Sequence, residues 1–424
     1  MSEPLVLFED DSFKRLLPLT YTRHPAELLI GGLSNLERAR MLRRDVYLLG
    51  RGYLKAYVRE EYGLSLLSSG DEAASEIRGD RVIGVNAMLN AGVTSLRRLV
   101  GELESMGDAV LVSGGRVVGF SLRASMLEGV SAFDGGFAAE ARRRGARVVE
   151  VSGWRLIGAP WDLVYSIGER VCEDAHAVEA AEAVEANRGE EGVYLLGKAD
   201  IEEGVYFDTE GGPIVIEDGA RIRYGTIVEG PAWIKGRAEV LSAKVREDSV
   251  IGYRCKVGVE IEMSVMDCFS NAAHHGFIGH SYVGRWVNIG AQTTFSDLKN
   301  TYGTVKISVN GVLMDSGKVK LGPFVADYAK LSIGSLVYCG RWVGCASHIY
   351  RLVDRDIPSF VIWAPEGAFE LDFGEAVEIH RRMFARRDRT FSRAHEEVLR
   401  RVFEETRGER EGFGAVRARY RPGG

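Results

Sequence analysis

The chain has 424 residues, 46% hydrophobic and 27% charged, which is enough for two or three domains with substantial cores. Its 54 basic residues are outnumbered by 60 acidic ones, giving a net charge of −6. That balance excludes a generally basic nucleic-acid binder and equally an acidic solubilising chain.

Strand-sized apolar runs at 5–8, 46–49, 82–85 and 109–112 alternate with helix-period segments such as 95–106, which predicts an α/β domain over residues 1–155. SGG at 113–115 and DGG at 134–136 mark turns. Residues 161–186 read as one long helix running into NRGEEG, a helical linker over 156–195. Five cysteines with no CxxC pair support neither a disulfide framework nor a zinc ribbon. The opening MSEPLVLFEDD is acidic where a signal peptide is basic, and no apolar run is long enough for a bilayer; a cytoplasmic protein without a membrane partner is expected.

From about residue 200 the helix period gives way to recurring glycine and a six-residue apolar repeat. Ile216, Ile222, Val228, Ile234 and Val240 hold this spacing, and Val245, Ile251 and Val257 resume it after a one-residue slip. Later hexads run through IGHSY, VGRWVN, IGAQTT, LGPFVA, DYAKLS, IGSLVY, CGRWVG and CASHIY. Such a repeat predicts a parallel β-solenoid over 196–365, whose stacked coils bury the repeated apolar position. Residues 296–319 break the hexad and are expected to loop out from the coils, on a face suited to binding. A charged helical tail over 366–424 follows, with helix from 374 to 405 and an amphipathic stretch at 391–403.

The densest polar cluster is CFSNAAHHGFIGH, with Cys268, His274, His275 and His280 beside the looped-out segment. One histidine could serve as a general base, since imidazole titrates near neutrality. His275 and His280 could instead ligate a metal, at a spacing similar to that of solenoid carbonic anhydrases. That reading needs a third ligand on a neighbouring coil. No histidine lies between His176 and His274, and His348 is the only later one in the solenoid. The third possibility is surface histidines in a turn.

The run VEIEMSVMDCFSNAAHHGFIGHSYVGRWVNIGAQTTFSDLKNTYGTVKI, with KLGPFVADYAKLSIGSLVYCG and DIPSFVIW, resembles the C-terminal half of an alternative branch of the bifunctional enzymes of UDP-N-acetylglucosamine synthesis. VLFEDDSFKRLLPLTYTRHPAEL and PWDLVYSIGERVCED resemble that branch's opening motif and interdomain helix. The resemblance implies a nucleotidyltransferase-like (Rossmann-like) α/β domain, then a left-handed parallel β-helix of hexapeptide repeats that trimerises and takes acetyl-CoA. The family's base lies five residues before a hexad glycine and fourteen before an asparagine, which matches His274 to Gly279 and Asn288. By resemblance, Asn288 orients the sugar or the base and the amide around Ala291 meets the oxyanion. Arg246, Lys256, Lys299 and Lys306 are the candidates to hold a sugar phosphate.

The match has gaps. Ala272 stands where relatives carry a lysine, and Glu262 stands near the family's phosphate-contacting lysine, so the acetyl acceptor need not be glucosamine-1-phosphate. In the N-terminal half, RLLPLTYTRHPA is similar to the trailing part of the nucleotidyltransferase signature and places Arg15, Thr20 and Arg23 at nucleotide-binding positions. The preceding glycines are replaced by FEDDSFK, and the lysine expected beside His24 is absent. Asn86 stands where the magnesium-binding aspartate is expected, with Asp10 and Asp11 as compensating ligands for Mg2+.

The sequence therefore points to N-acetyl transfer from acetyl-CoA to an amino-sugar 1-phosphate. The other half is then a divergent sugar-1-phosphate nucleotidyltransferase acting on a nucleoside triphosphate. Three alternatives remain open at this level: a nucleotidyltransferase whose solenoid serves only assembly, a metal-dependent hydratase, and a non-catalytic sugar-nucleotide sensor.

Overall fold

The computed structural model describes residues 3–182, 184–185, 191–418 and 420; Ala186 and most of NRGEEG lie outside the described residues. The chain forms two compact units, Met1–Leu16 with Arg23–Ala159, and Leu17–Thr22 with Pro160–Gly424.

In the first unit one sheet runs in the spatial order Leu66–Leu67, Val46–Leu49, Leu5–Phe8, Arg81–Asn86, Arg116–Arg123, Ala109–Ser113, Arg147–Glu150. The first four strands are mutually parallel, and Arg116–Arg123 runs antiparallel to both of its neighbours. Leu5, Val6, Leu7 and Phe8 are fully buried, as a central strand covered on both faces requires. The SGG turn joins Ala109–Ser113 to Arg116–Arg123, with Gly114 and Gly115 at positive φ. DGG is not a turn. Asp134 caps the helix Gly135–Arg143 by accepting from Gly136 N–H at 2.8 Å, because an aspartate before two small residues serves a helix start as well as a turn.

The second unit is a parallel β-helix with three walls. On the first wall Ile216, Ile234, Ile251, Met266, Val283, Val325 and Val343 stack inward in register. Phe207, Val228, Val245, Ile261, Ile278, Phe295 and Val337 do so on the third wall. The second wall contributes Ile201, Ile222, Val240, Val257 and Ala272, then Ile289, Leu331 and Ile349. The hexad is therefore one inward residue per wall, and the one-residue slip is absorbed at the corner around Ser242, itself at φ 50.

The outer sides of the walls differ. The first wall shows Val215, Trp233, Val250, Val265, Tyr282 and Phe324, all fully buried, with the helix Ile167–Glu182 lying against its strands. This helix is separate from Pro160–Tyr165 and ends at Glu182; Val184–Glu185 then pair antiparallel with Tyr194 and Leu195. The single helix expected over 161–186 is thus two helices and a short strand.

The looped-out segment contains a β-hairpin, Lys306–Val309 with Val312–Asp315. Its Asn310–Gly311 turn has φ 52 and 75. Ile307 and Val309 are buried, and Trp342 Nε1 donates to Ser308 O at 2.7 Å, so one hairpin strand lies on the solenoid while Val312 and Leu313 stay exposed. The tail is helical as expected, in Phe373–Ala385, Arg393–Glu405 and Arg407–Phe413. It docks on an aromatic corner: Phe384 stacks on Trp286 at 4.0 Å and Trp286 on Phe269 at 4.3 Å. Among the described residues no helix is long and apolar enough to cross a membrane.

Candidate functional site

The outer ladder of the second wall runs Asp200, Arg221, Glu239, Lys256, Asn271, Asn288, Lys330, His348. Polar side chains at one repeat position thus become a single column in space. Lys256 pairs with Glu239 at 2.9 Å, and Asn271 Nδ2 donates to Asn288 Oδ1 at 3.1 Å. That bond fixes the orientation of the Asn288 amide.

His274 follows Asn271 at the corner between the second and third walls and is exposed, as is His275. Ala291 follows Asn288 at the same corner one coil on. The two corners are tied by Gln292 N–H donating to His275 O at 2.7 Å, and Gly334 N–H donates to Ala291 O at 2.7 Å from the coil beyond. His274, Asn288 and Ala291 therefore gather on one open edge of the solenoid, with Lys256 two rungs away on the ladder.

The other phosphate candidates are placed differently. Arg246 stands among Glu229 (3.1 Å), Glu247 (3.5 Å), Glu260 (3.7 Å) and Glu262 (3.9 Å). It sits beyond the far end of the third-wall strand, about 10 Å along it from the His274 corner at 3.3 Å per residue. Lys299 donates to Thr304 O within the looped-out segment, and Lys306 is exposed on its hairpin. Sequence reading missed Lys320, whose Nζ lies 3.0 Å from Glu262 Oε1. It follows the hexad break and offers no pattern of its own.

His280 lies at the opposite end of Phe277–Gly279 from His275. It is buried and donates from Nδ1 to Asp297 Oδ2 at 2.7 Å. Gly279 makes this possible, since a Cβ there would come within 2.6 Å of Asp297 Oδ2. Among the described residues no three His, Cys, Asp or Glu side chains converge to hold a metal ion. The pairing of His275 with His280 as metal ligands is not built, because the strand holds the two rings apart.

In the first unit a recess of about 280 Å3 opens at the carboxyl ends of the parallel strands, lined by Glu9, Asp10, Asp11, Phe13, Arg51 and Phe133 among others. This is where sheets of this order take ligands. Arg51 Nε pairs with Glu9 at 2.9 Å and its Nη2 donates to Arg23 O at 2.8 Å. Arg23 itself is fully buried, as is His24, whose imidazole burial pulls down to about 3. Thr20 is buried within the stretch Leu17–Thr22, which belongs to the other unit; Arg15 is half-buried.

The residues expected to hold Mg2+ do not fit it. Asp10 Oδ1 accepts from Ser12 N–H (3.0 Å) and from the Ser12 hydroxyl. Asp10 Oδ2 accepts from Asn86 Nδ2 (2.9 Å) and from Arg116 Nη2 (3.2 Å). Asn86 Oδ1 accepts from Met88 N–H at 2.9 Å, and exposed Asp11 pairs with Lys14 at 2.8 Å. The oxygens of Asp10 and the carbonyl of Asn86 already face donors, one of them a guanidinium.

Residues 5–182 match the family model described as sugar nucleotidyl transferase. The first domain is similar to that family. A bifunctional sugar-1-phosphate nucleotidylyltransferase/acetyltransferase of Sulfurisphaera tokodaii is 26% identical to the chain over 217 residues, 50% of this chain and 49% of that protein. The bifunctional protein GlmU of Thermodesulfovibrio yellowstonii is 29% identical over 145 residues, 34% of this chain and 29% of its own length. An uncharacterized acetyltransferase, YaiX, of Escherichia coli is 24% identical over 164 residues, 38% of this chain and 71% of that one. The chain thus spans about half the length, or less, of the first two relatives. The family and fold read from the sequence are borne out: a sugar nucleotidyl transferase domain precedes a parallel β-helix, and relatives carry names joining nucleotidyl and acetyl transfer.

Proposed function

We propose that the protein acts in sugar-nucleotide biosynthesis, its β-helix transferring an acetyl group from acetyl-CoA to the amine of an amino-sugar 1-phosphate of the glucosamine-1-phosphate type. The reading is carried by the open corner where His274, Asn288 and Ala291 gather, with Asn288 oriented by Asn271 at 3.1 Å. The amine nitrogen attacks the thioester carbonyl carbon, and His274 takes the proton that the nitrogen loses. The Ala291 N–H meets the oxyanion, and its collapse expels the thiolate of coenzyme A, which takes up a proton. Positioning of the two substrates supplies most of the acceleration, with the base adding about a hundredfold.

The proposal includes a homotrimer. The outer ladder of the third wall runs Tyr206, Ile227, Lys244, Glu260, Phe277, Thr294 and Leu336, and at its last rung Leu336, 50% exposed, stands near Ile333 at 77%. An apolar edge beside the His274 corner suits a second copy that would close over acetyl-CoA. The first domain is read as a divergent sugar-1-phosphate nucleotidyltransferase of the UDP-N-acetylglucosamine pyrophosphorylase type. The Asp10–Arg116 pair favours a second reading of that half, as a domain that holds a sugar nucleotide without turnover.

The test is a panel of amino-sugar phosphates with acetyl-CoA, read by release of free thiol from the full chain. At least one acceptor should be turned over, and His274→Ala should lower the rate a hundredfold or more without changing the melting temperature. Unchanged turnover in His274→Ala removes the proposed base. Silence across the panel removes the acetyl-transfer reading.

A further inference from the structure

We propose that Arg116 is a resident cation standing where a divalent metal would sit beside Asp10, so that the first domain takes its ligand metal-free and does not carry out metal-dependent nucleotidyl transfer. The inference rests on the first unit alone and is independent of acetyl transfer. Three observations carry it.

The first is charge. The Asp10 side chain is only 5% exposed, and one guanidinium already balances its one carboxylate. A doubly charged ion placed there would meet Arg116 at contact distance in a weakly screened site, and the neighbouring acids Glu9 and Asp11 are already paired with Arg51 (2.9 Å) and Lys14 (2.8 Å).

The second is donor direction. Magnesium requires near-octahedral oxygens at about 2.0–2.1 Å. Asn86 instead points its NH2 at Asp10 and at Val117 O (2.8 Å), while its carbonyl takes Met88 N–H. Rotating the amide to offer oxygen to a metal would leave the Met88 N–H and the Val117 carbonyl unpaired in a fully buried place.

The third is anchoring. Arg116 begins the strand Arg116–Arg123, which lies next to Arg81–Asn86 in the sheet. Its Nη1 donates to Ile157 O at 2.9 Å and its Nη2 to the Ser12 hydroxyl as well as to Asp10. Bonds in three directions keep the guanidinium in place when a ligand enters.

Manganese alone, titrated into the full chain and followed by electron paramagnetic resonance, tests this. Wild type should show no stoichiometric site, and Arg116→Lys, which keeps the charge, should also show none. Arg116→Gln, once its circular dichroism shows a native fold, should gain one site per chain, lost again when Asp10→Asn is added. A wild-type site that Asp10→Asn removes overturns the proposal, as does a folded Arg116→Gln without one. If Arg116→Gln fails to fold, the comparison of wild type with Asp10→Asn still decides. Magnesium-dependent release of pyrophosphate from a nucleoside triphosphate and a sugar phosphate, abolished by Asp10→Asn, would equally sink it.

Discussion

Lys320 places its ammonium 3.0 Å from the Glu262 carboxylate, across 58 residues of sequence. The acid at 262, near which the resemblance leads one to expect a lysine, is thereby neutralised from a distant part of the chain. Arg246 adds a second cation at 3.9 Å from Glu262. If a phosphorylated acceptor reaches this end of the third wall, Lys320→Ala should raise its KM about tenfold, roughly the 1.4 kcal/mol of one charge-assisted contact, and leave kcat nearly unchanged. Steady-state kinetics with phosphorylated and unphosphorylated amino sugars would check this. Equal effects on both acceptors would place the phosphate elsewhere.

Asn271 and Asn288 form a second coupled pair. Asn288→Ala is expected to lower kcat/KM for acetyl transfer tenfold or more. Asn271→Ala, which only frees the Asn288 amide to rotate, should lower it a few-fold. Both side chains are solvent-facing, so melting temperatures should stay within experimental error. A larger loss in Asn271→Ala than in Asn288→Ala would reverse the assigned roles.

Gly279→Ala should be a stability variant. The new methyl would press on Asp297 and separate it from His280, leaving a buried imidazole and a buried carboxylate without each other. The expected cost is about 1–3 kcal/mol, read as a lower midpoint in chemical denaturation. A neutral result would show that the corner yields without breaking the pair.

Stability should also follow pH through the seam under the tail. Lys330 turns its ammonium onto Tyr328 O (2.6 Å) and Trp286 O (3.2 Å), and burial pulls it down to about 7 from 10.5. Burial, helped by the charge of Lys330, brings His348 and His380 to about 3 from 6.5. These are bases with lowered values, so the folded chain binds fewer protons than the unfolded one across pH 3–6.5 and again across pH 7–10.5. Stability therefore rises with pH in both windows, by up to about 1.4 kcal/mol per unit from each group. Thermal melts across pH should show this. Lys330→Met should flatten the upper window; an unchanged slope there would mean that the ammonium is hydrated.

The solenoid was legible because each hexad contributes one inward residue, and inward stacking preserves spacing along the chain. The central strands of the first domain were legible for the same reason, as short apolar runs of the right length. The hairpin in the looped-out segment is also written in the sequence, in VNGV, an Asn-Gly pair between apolar residues. His274, Asn288 and Ala291 were singled out only through the resemblance to a known family. Lys320 and Arg116 were not, since each meets its partner across 50 or more residues with no periodicity between them. Glu262 and Asn86 looked like losses in one dimension. Their compensations, Lys320 and Arg116, exist only in three.

The six residues from Leu17 to Thr22 carry a last consequence. Tyr21 hydrogen-bonds Glu409 at 2.8 Å and Thr22 hydrogen-bonds Asp327 at 2.5 Å, yet the chain on either side of them folds into the other unit. One proteolytic nick near Ala159 therefore cannot release two intact halves, since the amino-terminal piece would carry away a strap that the carboxyl-terminal piece needs. Genetic shuffling of either half would have to bring that short stretch along with the second unit.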